Sequence, residues 1–493
     1  MVAAAGSRWL LGAVTMLATL LYTIDTTIVN VALPHMQGSL QATQDQIAWV
    51  VTSYIVVSAI ATPLAGWLGT RLGLRRVLSV AIIGFTLSSA LCGIATDIAQ
   101  IVVCRMLQGA CGAALVPLSQ VVLMRGFPAS SQARVMTWWG TGIMVGPVIG
   151  PTLGGWLTDS FSWRWAFLIN VPVGIIAWIG LFAGMQRDAP DGNRPFDTTG
   201  FVLLSLALGL FQLMLDRGET KAWFESAEIV ACGFFAAVAL YMFLVHAFTD
   251  RHPFVDIHLF RDRNFAVSLG IMFVIGLAVI APSVLLPGFL QQLQGHTPTQ
   301  AGEMMAARGA ASIVAMQVVT RLGARIGARA TMSIGVAIAS VSMFMMGRFS
   351  VDTPAHVVVW AAALQGFGVP LIFMPLLVVG FATLPRRAQA EAGSLMTLLR
   401  NVGSSIGVSV TVALLARSAQ ANQSWLVENF TAYDPARWQA AGVVPGPDAA
   451  TGALVGEIAR QAAGIAYAND FSLLGATTLL TLPFVFLLRG PRS

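Results

Sequence analysis

The chain has 493 residues, 56% of them hydrophobic and 10% charged. A soluble domain carries about 25% charged residues, so lipid is the solvent for this body and a water-soluble enzyme or binding module is excluded. The net charge of +6 comes from 27 Arg and one Lys, Lys221, and its placement along the chain reads as membrane topology, not as a nucleic-acid site.

A membrane-spanning helix needs roughly 20 apolar residues. About fourteen such stretches follow one another, near 9–33, 47–68, 77–96, 99–123, 135–157, 165–185, 199–216, 227–248, 265–290, 302–320, 330–349, 355–382, 393–416 and 469–488. No alternation of apolar and polar residues over ~10-residue segments dominates, which argues against a barrel. The first stretch runs through Asp25 to Pro34, too long for a signal-peptide core and without a small-residue cleavage site. With the N-terminus placed in the cytoplasm, 18 basic residues fall in cytoplasmic segments, seven outside, and three, Arg105, Arg308 and Arg400, within spans. That bias is the one expected when both termini are cytoplasmic. Cys92, Cys104, Cys111 and Cys232 all lie in spans and read as small packing residues; no disulfide framework or metal spacing follows.

The first span carries Asp25 in the run Ile24 to Pro34, together with Asn30. A carboxylate in the bilayer costs several kcal/mol where a neutral residue would cost less, and burial favours its protonated form. Asp25 is therefore a candidate proton binder. The plainer reading is a carboxylate near the water-facing helix end, satisfied by Asn30 or Thr26. After span 2 comes Leu68-Gly69-Thr70-Arg71-Leu72-Gly73-Leu74-Arg75, which returns 254 positions later as Leu322-Gly323-Ala324-Arg325-Ile326-Gly327-Ala328-Arg329. Six of the eight positions are identical or Leu/Ile equivalents. A basic turn duplicated between apolar segments points to two homologous helical bundles, the architecture of an alternating-access transporter. Eight spans separate the copies where a six-plus-six arrangement gives six. The surplus predicts an inserted helical pair, 199–216 and 227–248, so that the chain divides into an N-terminal six-helix bundle (1–190), the pair (191–250) and a C-terminal six-helix bundle (251–493).

Span 4 holds Arg105, whose buried guanidinium needs an acceptor, Asp25 or a backbone carbonyl. Gln108 and Gln120, which follow it, and Asn30 of span 1 are candidates to line a substrate cavity. Span 5 places Gly142, Gly146, Gly150 and Gly154 on one helix face, and such small stripes let helix backbones approach closely. Pro147 and Pro151 remove backbone donors from the same helix. Ordinary tight packing explains one such pair; the full stripe with two prolines suits a moving interface between the halves. A weaker pair, Gly403 and Gly407, lies in span 13. Arg308 in span 10 and Arg400 in span 13 are deep basic groups suited to substrate or coupling roles, whereas Glu303 reads as a water-facing helix start. Trp138, Trp139, Met144, Gln365, Phe373 and Met374 are further cavity-lining candidates. Residues 417–468 form a mostly polar loop, with Trp425, Phe430, Tyr433 and Trp438 interspersed, that reads as an extracytoplasmic cap or a partner-docking surface. No GxxxxGK[ST] phosphate loop, nucleophile elbow or HExxH is found, so neither direct ATP use nor an enzyme is expected.

Taken together, these motifs resemble the major facilitator superfamily, and within it the fourteen-span drug:proton antiporters of the EmrB/QacA type. Gly66 to Arg76, with Gly66, Arg71, Gly73 and Arg75, is similar to the family's loop signature between spans 2 and 3. Asp25 to Pro34 resembles the span-1 signature, Arg105 to Gly109 the Arg-centred span-4 motif, and Gly142 to Gly155 the span-5 exporter motif. Trp163 to Pro172 and Leu215 to Gly218 followed by Trp223-Phe224 look EmrB-like. One departure stands out: the loop signature usually carries an acid where this chain has Thr70, and Ala324 occupies the second copy, which puts an acid-based latch between the halves in doubt. The resemblance implies an all-α membrane fold of two pseudo-symmetric bundles plus two helices in the bacterial inner membrane. It also implies proton-driven efflux of hydrophobic or amphipathic compounds without a cofactor, with Asp25 and Arg105 in proton coupling. Partners implied are an EmrA-like periplasmic adaptor, which the 417–468 loop would touch, and a TolC-like outer-membrane channel. A dedicated exporter of a metabolite, fatty acid or siderophore is the nearest alternative; a non-transporting receptor or scaffold is the alternative of another class.

Overall fold

The computed structural model describes residues 5–185, 196–250, 253–385, 388–428 and 449–488. Every regular element among them is helical. The N-terminal half comprises α1 (Ala5–Ser39), α2 (Gln44–Leu72), α3 (Leu74–Ile94), α4 (Ile98–Gly112), α5 (Leu115–Gly126), α6 (Ala129–Ser160), the short α7 (Trp165–Leu168) and α8 (Asn170–Gly184). Then come α9 (Thr198–Arg217) and α10 (Ala227–Thr249). The C-terminal half comprises α11 (Arg263–Val274), α12 (Pro282–Gly288), α13 (Pro298–Met346), α14 (Ala355–Ala382), α15 (Gln389–Glu428), α16 (Ala449–Leu479) and α17 (Leu482–Leu487). Two π-helical turns, Ile275–Val279 and Phe289–Leu293, join α11 to α12 and end that span.

Twelve helical segments among the described residues are long and apolar enough to cross a membrane. The stretches expected at 135–157 and 302–320 lie in α6 and the first part of α13, helical but outside those twelve, so the count of fourteen rests on the sequence. The expected loop at 417–468 is narrower than its polarity implies. Helix α15 continues to Glu428 and α16 begins at Ala449. At 1.5 Å per residue the 40 residues of α15 span about 60 Å, twice a hydrocarbon core of about 30 Å. Beyond the apolar stretch the two helices stay paired, with Asn422 Nδ2 donating to the Ala462 carbonyl at 3.3 Å. Polar residues there mark a helix leaving lipid, not a chain leaving helix. Phe430, Tyr433 and Trp438 lie outside the described residues, as do residues 186–195.

The duplication is written in the backbone. Gly73 joins α2 to α3 with φ 88°, and Gly327 interrupts α13 with φ 81°. Both sit in the left-handed region that a side chain disfavours. The helices that lead into these turns begin alike. Thr43 and Gln46 form a reciprocal capping box at the start of α2, and Thr297 and Gln300 form another at the start of α13. Packing repeats as well. Gly146, Gly150 and Gly154 of α6 seat on Thr23, Thr27 and Ile28 of α1, while Gly403 and Gly407 of α15 seat on the Phe273 and Leu277 carbonyls of the span containing α11.

The two halves meet closely at the end that carries the turns. A Cβ at Gly66 would lie 2.7 Å from Ser394 Oγ and 3.0 Å from the Ala390 carbonyl, and one at Gly393 would lie 3.2 Å from Val121. Toward the opposite end a cleft of about 500 Å3 opens between Ile149, Leu153 and Trp156 of α6 and Thr299, Glu303 and Ala306 of α13. The inserted pair sits to one side. Helix α9 packs on α2 and reaches the other half, where Ser409 Oγ donates to the Leu215 carbonyl at 3.0 Å. Helix α10 leans on α9 and turns Phe234, Phe235, Tyr241 and Phe248 outward, as a lipid-facing helix does. Asp197 ties the pair together at the turn end. Its carboxylate accepts from the Gly200 N–H at 2.8 Å, the Phe254 N–H at 2.9 Å and His246 Nε2 at 2.9 Å.

Candidate functional site

Asp25 stands in the middle of α1 and is fully buried. Three donors converge on it. Arg105 Nη1 donates to Oδ2 at 2.6 Å, while Gln108 Nε2 and Asn170 Nδ2 donate to Oδ1 at 2.8 and 3.0 Å. Arg105 and Gln108 are three apart on α4 and so share a face; a further bond runs from Arg105 Nη1 to Gln108 Oε1 at 2.7 Å. Asn170 opens α8 and also donates to Ser89 Oγ of α3. Helices α4 and α8 thus close on one carboxylate of α1, with α3 behind Asn170.

The remainder of the Arg105 guanidinium is also engaged. Its Nε donates to the Val50 carbonyl at 2.9 Å, and its central carbon stands 4.0 Å from the centre of the Tyr54 ring. Gly109 and Gly112 make this possible, because a Cβ at either would press on Tyr54. Val50 and Tyr54 are one helical turn apart on α2, so α2 caps the arginine with a carbonyl and a ring together. A buried charge pair survives when its remaining hydrogen-bonding capacity is filled, and the Val50 carbonyl and the Tyr54 ring serve that end here. Removing one member of such a pair typically costs about 3–5 kcal/mol.

The Asp25–Arg105 pairing anticipated from sequence is present, and Gln108 belongs to it instead of lining a cavity. Of the alternatives expected for Asp25, the Thr26 hydroxyl donates to the Thr23 carbonyl at 3.0 Å, and the Asn30 side chain lies outside the described residues. Asn170, Ser89 and Tyr54 were missed, although Asn170 sits within the Trp163 to Pro172 stretch already marked as family-like.

The C-terminal half presents a different polar interior. Arg308 enters from the start of α13 and donates from Nη1 to Ser283 Oγ at 2.5 Å. Arg400 enters from the start of α15, and its Nη2 meets Asn401 Oδ1 at 3.3 Å. Each arginine is half-buried. Arg400 lies within electrostatic reach of Tyr22 of α1, and the Tyr22 and Tyr54 rings are 6.1 Å apart. Gln365 of α14 is fully buried, and neither end of its amide has a hydrogen-bond partner. Its neighbour Gly366 packs on the Arg308 backbone. Gln120 of α5 and Phe373 of α14 are buried inside the helix bundle.

Several expectations change. Trp138 does not face a central opening; it packs edge-on against the exposed Trp9, rings 6.3 Å apart. Trp139 is buried and donates to Thr19 Oγ1 at 2.9 Å. The glycine stripe of Gly142, Gly146, Gly150 and Gly154 does not form the interface between halves. It faces Met16, Thr23, Thr27 and Ile28 of α1 within the same half, because the stripe is one residue wide and α1 fills it. Contact of α6 with the other half includes Gly140, against Met374 and Met316. Side chains of Met144, Pro147, Pro151 and Ala324 lie outside the described residues. Glu303 is exposed in the α6–α13 cleft. Asp470 of α16, passed over in the sequence, is a second buried acid.

The loop without its acid finds other partners. Arg71 stacks on the Trp67 ring at 4.9 Å, and Arg75 stacks on Phe182 at 4.6 Å while its Nη2 donates to the Phe182 carbonyl at 2.8 Å. Both contacts stay within the N-terminal half. Thr70 turns back to the Gly66 carbonyl at 3.1 Å.

Comparison with known proteins gives one family. The model of the Major Facilitator Superfamily matches residues 15–408 and 268–470. The fatty acid resistance protein FarB of Neisseria gonorrhoeae is 34% identical over 96% of this chain and 95% of its own length. The multidrug export protein EmrB of Haemophilus influenzae is 35% identical over 85% of this chain and 82% of its own. Among solved structures, a double-Trp mutant of XylE superimposes with a TM-score of 0.66 at 14% identity, covering 99% of this chain and 97% of that one; at that identity the likeness concerns the fold.

Proposed function

The chain belongs to the major facilitator superfamily, and on that premise we propose that it exports hydrophobic and amphipathic compounds by alternating access, driven by protons. The family and the multi-pass helical body make it a membrane transporter. The relatives named for multidrug export support the efflux reading. The single observation that carries the proton reading is Asp25, a buried carboxylate held by Arg105, Gln108 and Asn170.

The energies are of the same size. A pH difference supplies about 1.4 kcal/mol per unit per proton, and a membrane potential about 2.3 kcal/mol per charge per 100 mV. One pH unit with 100 mV thus gives about 4 kcal/mol, against about 3–5 kcal/mol for breaking a buried ion pair. In the proposed cycle, protonation of Asp25 from outside releases Arg105. The guanidinium then loosens from Tyr54, the α2–α4 contact shifts, and Tyr22 passes the change to the Arg400 side of the interface. Substrate leaves outward, and Asp25 returns its proton inward. In this orientation the Gly73 and Gly327 turns and both termini are cytoplasmic, in a bacterial inner membrane. The tight contact at Gly66 is then a closed inner gate and the α6–α13 cleft faces outward. An adaptor of the EmrA kind would meet the protruding α15–α16 pair, and a TolC-like channel would complete the route.

Reconstituted vesicles with an imposed pH gradient test this reading. Asp25→Asn abolishes gradient-driven export in them while leaving substrate binding measurable; undiminished coupling in Asp25→Asn refutes the proton role. A narrower second reading, export of fatty acids, draws on the FarB relative, whose match runs nearly end to end. Competition between a long-chain fatty acid and a neutral dye separates the two, since a dedicated exporter ignores the dye.

A further inference from the structure

We propose that α9 is a strap. Its last turn holds α2 and α15 together at the end opposite the glycine turns, so outward access opens through the α6–α13 seam alone. The inference rests on the alternating-access reading and gives the inserted pair a task within it. The two halves meet along two seams, α2 against α15 and α6 against α13. At the end away from the turns these seams differ. The α6–α13 seam holds the cleft of about 500 Å3. The α2–α15 seam is bridged by two successive residues of α9. Asp216 accepts through Oδ2 from the Thr52 hydroxyl of α2. The Leu215 carbonyl accepts from Ser409 Oγ of α15 at 3.0 Å.

Both ties satisfy groups that lipid cannot. Leu215 is among the last four residues of α9, whose carbonyls have no partner within the helix, and Ser409 supplies the donor. The rest of α9 keeps this turn in register with α2. A Cβ at Gly209 would lie 3.1 Å from Ile60 of α2. The Arg217 guanidinium stands 5.4 Å from the centre of the Trp49 ring of α2 and pairs with Glu228 of α10. Ties at the inner end are of another kind. They run through the linkers that enter and leave the inserted pair. Phe196 meets Trp67 of α2 edge-on, rings 4.7 Å apart, and the Asp256 N–H donates to Glu391 Oε1 of α15 at 2.6 Å. A linker yields where a helical turn does not, so the Gly66 gate can part while the far end of the α2–α15 seam stays shut. The halves then rock about that far end. Opening outward separates α6 from α13, and cargo leaves on the side that the inserted pair leaves bare.

The test places pairs of spin labels on exposed positions at the far end of each seam and measures their separations by double electron–electron resonance. Ala48→Cys with Val410→Cys reports α2–α15, and Ile149→Cys with Thr299→Cys reports α6–α13. The full chain is used in lipid nanodiscs, with Cys92→Ser, Cys104→Ser, Cys111→Ser and Cys232→Ser. Each pair is measured in acid and in alkali, with and without saturating Nile red, a neutral amphipathic dye. The α6–α13 pair shows two separations whose populations exchange between conditions, and the α2–α15 pair keeps one. Adding Asp216→Ala and Ser409→Ala gives the α2–α15 pair a second, longer separation. Retained Nile red binding shows that the labelled chains are folded. Matching changes in both pairs, no change in either, or a single α2–α15 separation that survives the double substitution overturns the proposal. Gradient-driven Nile red export by the wild-type chain reports the export reading separately. No export together with one-sided opening refutes that reading and leaves the strap standing; export with both seams opening refutes the strap alone.

Discussion

The two halves share a scaffold and differ in chemistry. Each begins a span with a Thr-x-x-Gln capping box, ends it at a left-handed glycine, and packs a glycine pair on its own first span. Yet the N-terminal half encloses a complete ion pair, Asp25 with Arg105, while among the described residues Arg308 and Arg400 of the C-terminal half pair with no acid. The features that repeat are those the backbone requires, and the features that diverge are charges. The two interiors are therefore electrostatically unlike: one encloses a matched pair, and the other holds two arginines that form no ion pair among the described residues.

The largest effect expected separates these interiors directly. Arg105→Gln strands a buried carboxylate and lowers stability by about 3–5 kcal/mol, whereas Arg400→Gln removes no ion-pair partner and leaves the melting temperature in detergent nearly unchanged. Equal destabilisation by both would erase the proposed contrast. Next come the shared glycines. Gly150→Val presses on Thr27, and Gly407→Val presses on the Leu277 carbonyl. Each overpacks a helix pair at about 1–3 kcal/mol, and loss of folded protein in only one half would break the packing analogy.

Smaller still is Asp197, which belongs to neither half. Burial raises its carboxyl, but the Gly200 N–H, His246 and the Phe254 N–H outweigh that and hold it below the usual carboxylate range. A depressed carboxyl contributes stability above its unfolded value of about 3.9 and loses it as pH falls through the folded value. Asp197→Ala therefore costs about 0.5–2 kcal/mol at neutral pH, the range for a helix cap, and the difference from wild type shrinks in acid. A pH-independent difference would contradict the assignment. The smallest effect is Gly327→Ala. No atom lies within 4 Å of a Cβ there, so only the left-handed backbone resists it, at about 1 kcal/mol.

The fold was legible because its signals are coarse. Long apolar runs specify spans, and the recurrence of Leu68–Arg75 at Leu322–Arg329 specifies duplication. The Asp25–Arg105 pair was legible because charge in lipid demands a partner. Partners that are uncharged were not: Asn170 and Tyr54 look like ordinary polar and aromatic residues until helix packing places them on Asp25 and Arg105. The glycine stripe misled for a related reason. Spacing identifies a face and says nothing of which helix covers it, so a stripe suited to a sliding interface proved to be the seat of α1. The missing loop acid became intelligible once Arg71 and Arg75 were found on Trp67 and Phe182.

The central claim is that Asp25 exchanges its proton as the cavity changes access. The most direct measurement follows proton release from the purified, weakly buffered protein as a transported amphipath is added. Wild type releases protons on saturation and Asp25→Asn releases none, while both bind the ligand. The same release from Asp25→Asn as from wild type would contradict the claim and move the coupling site elsewhere in the molecule.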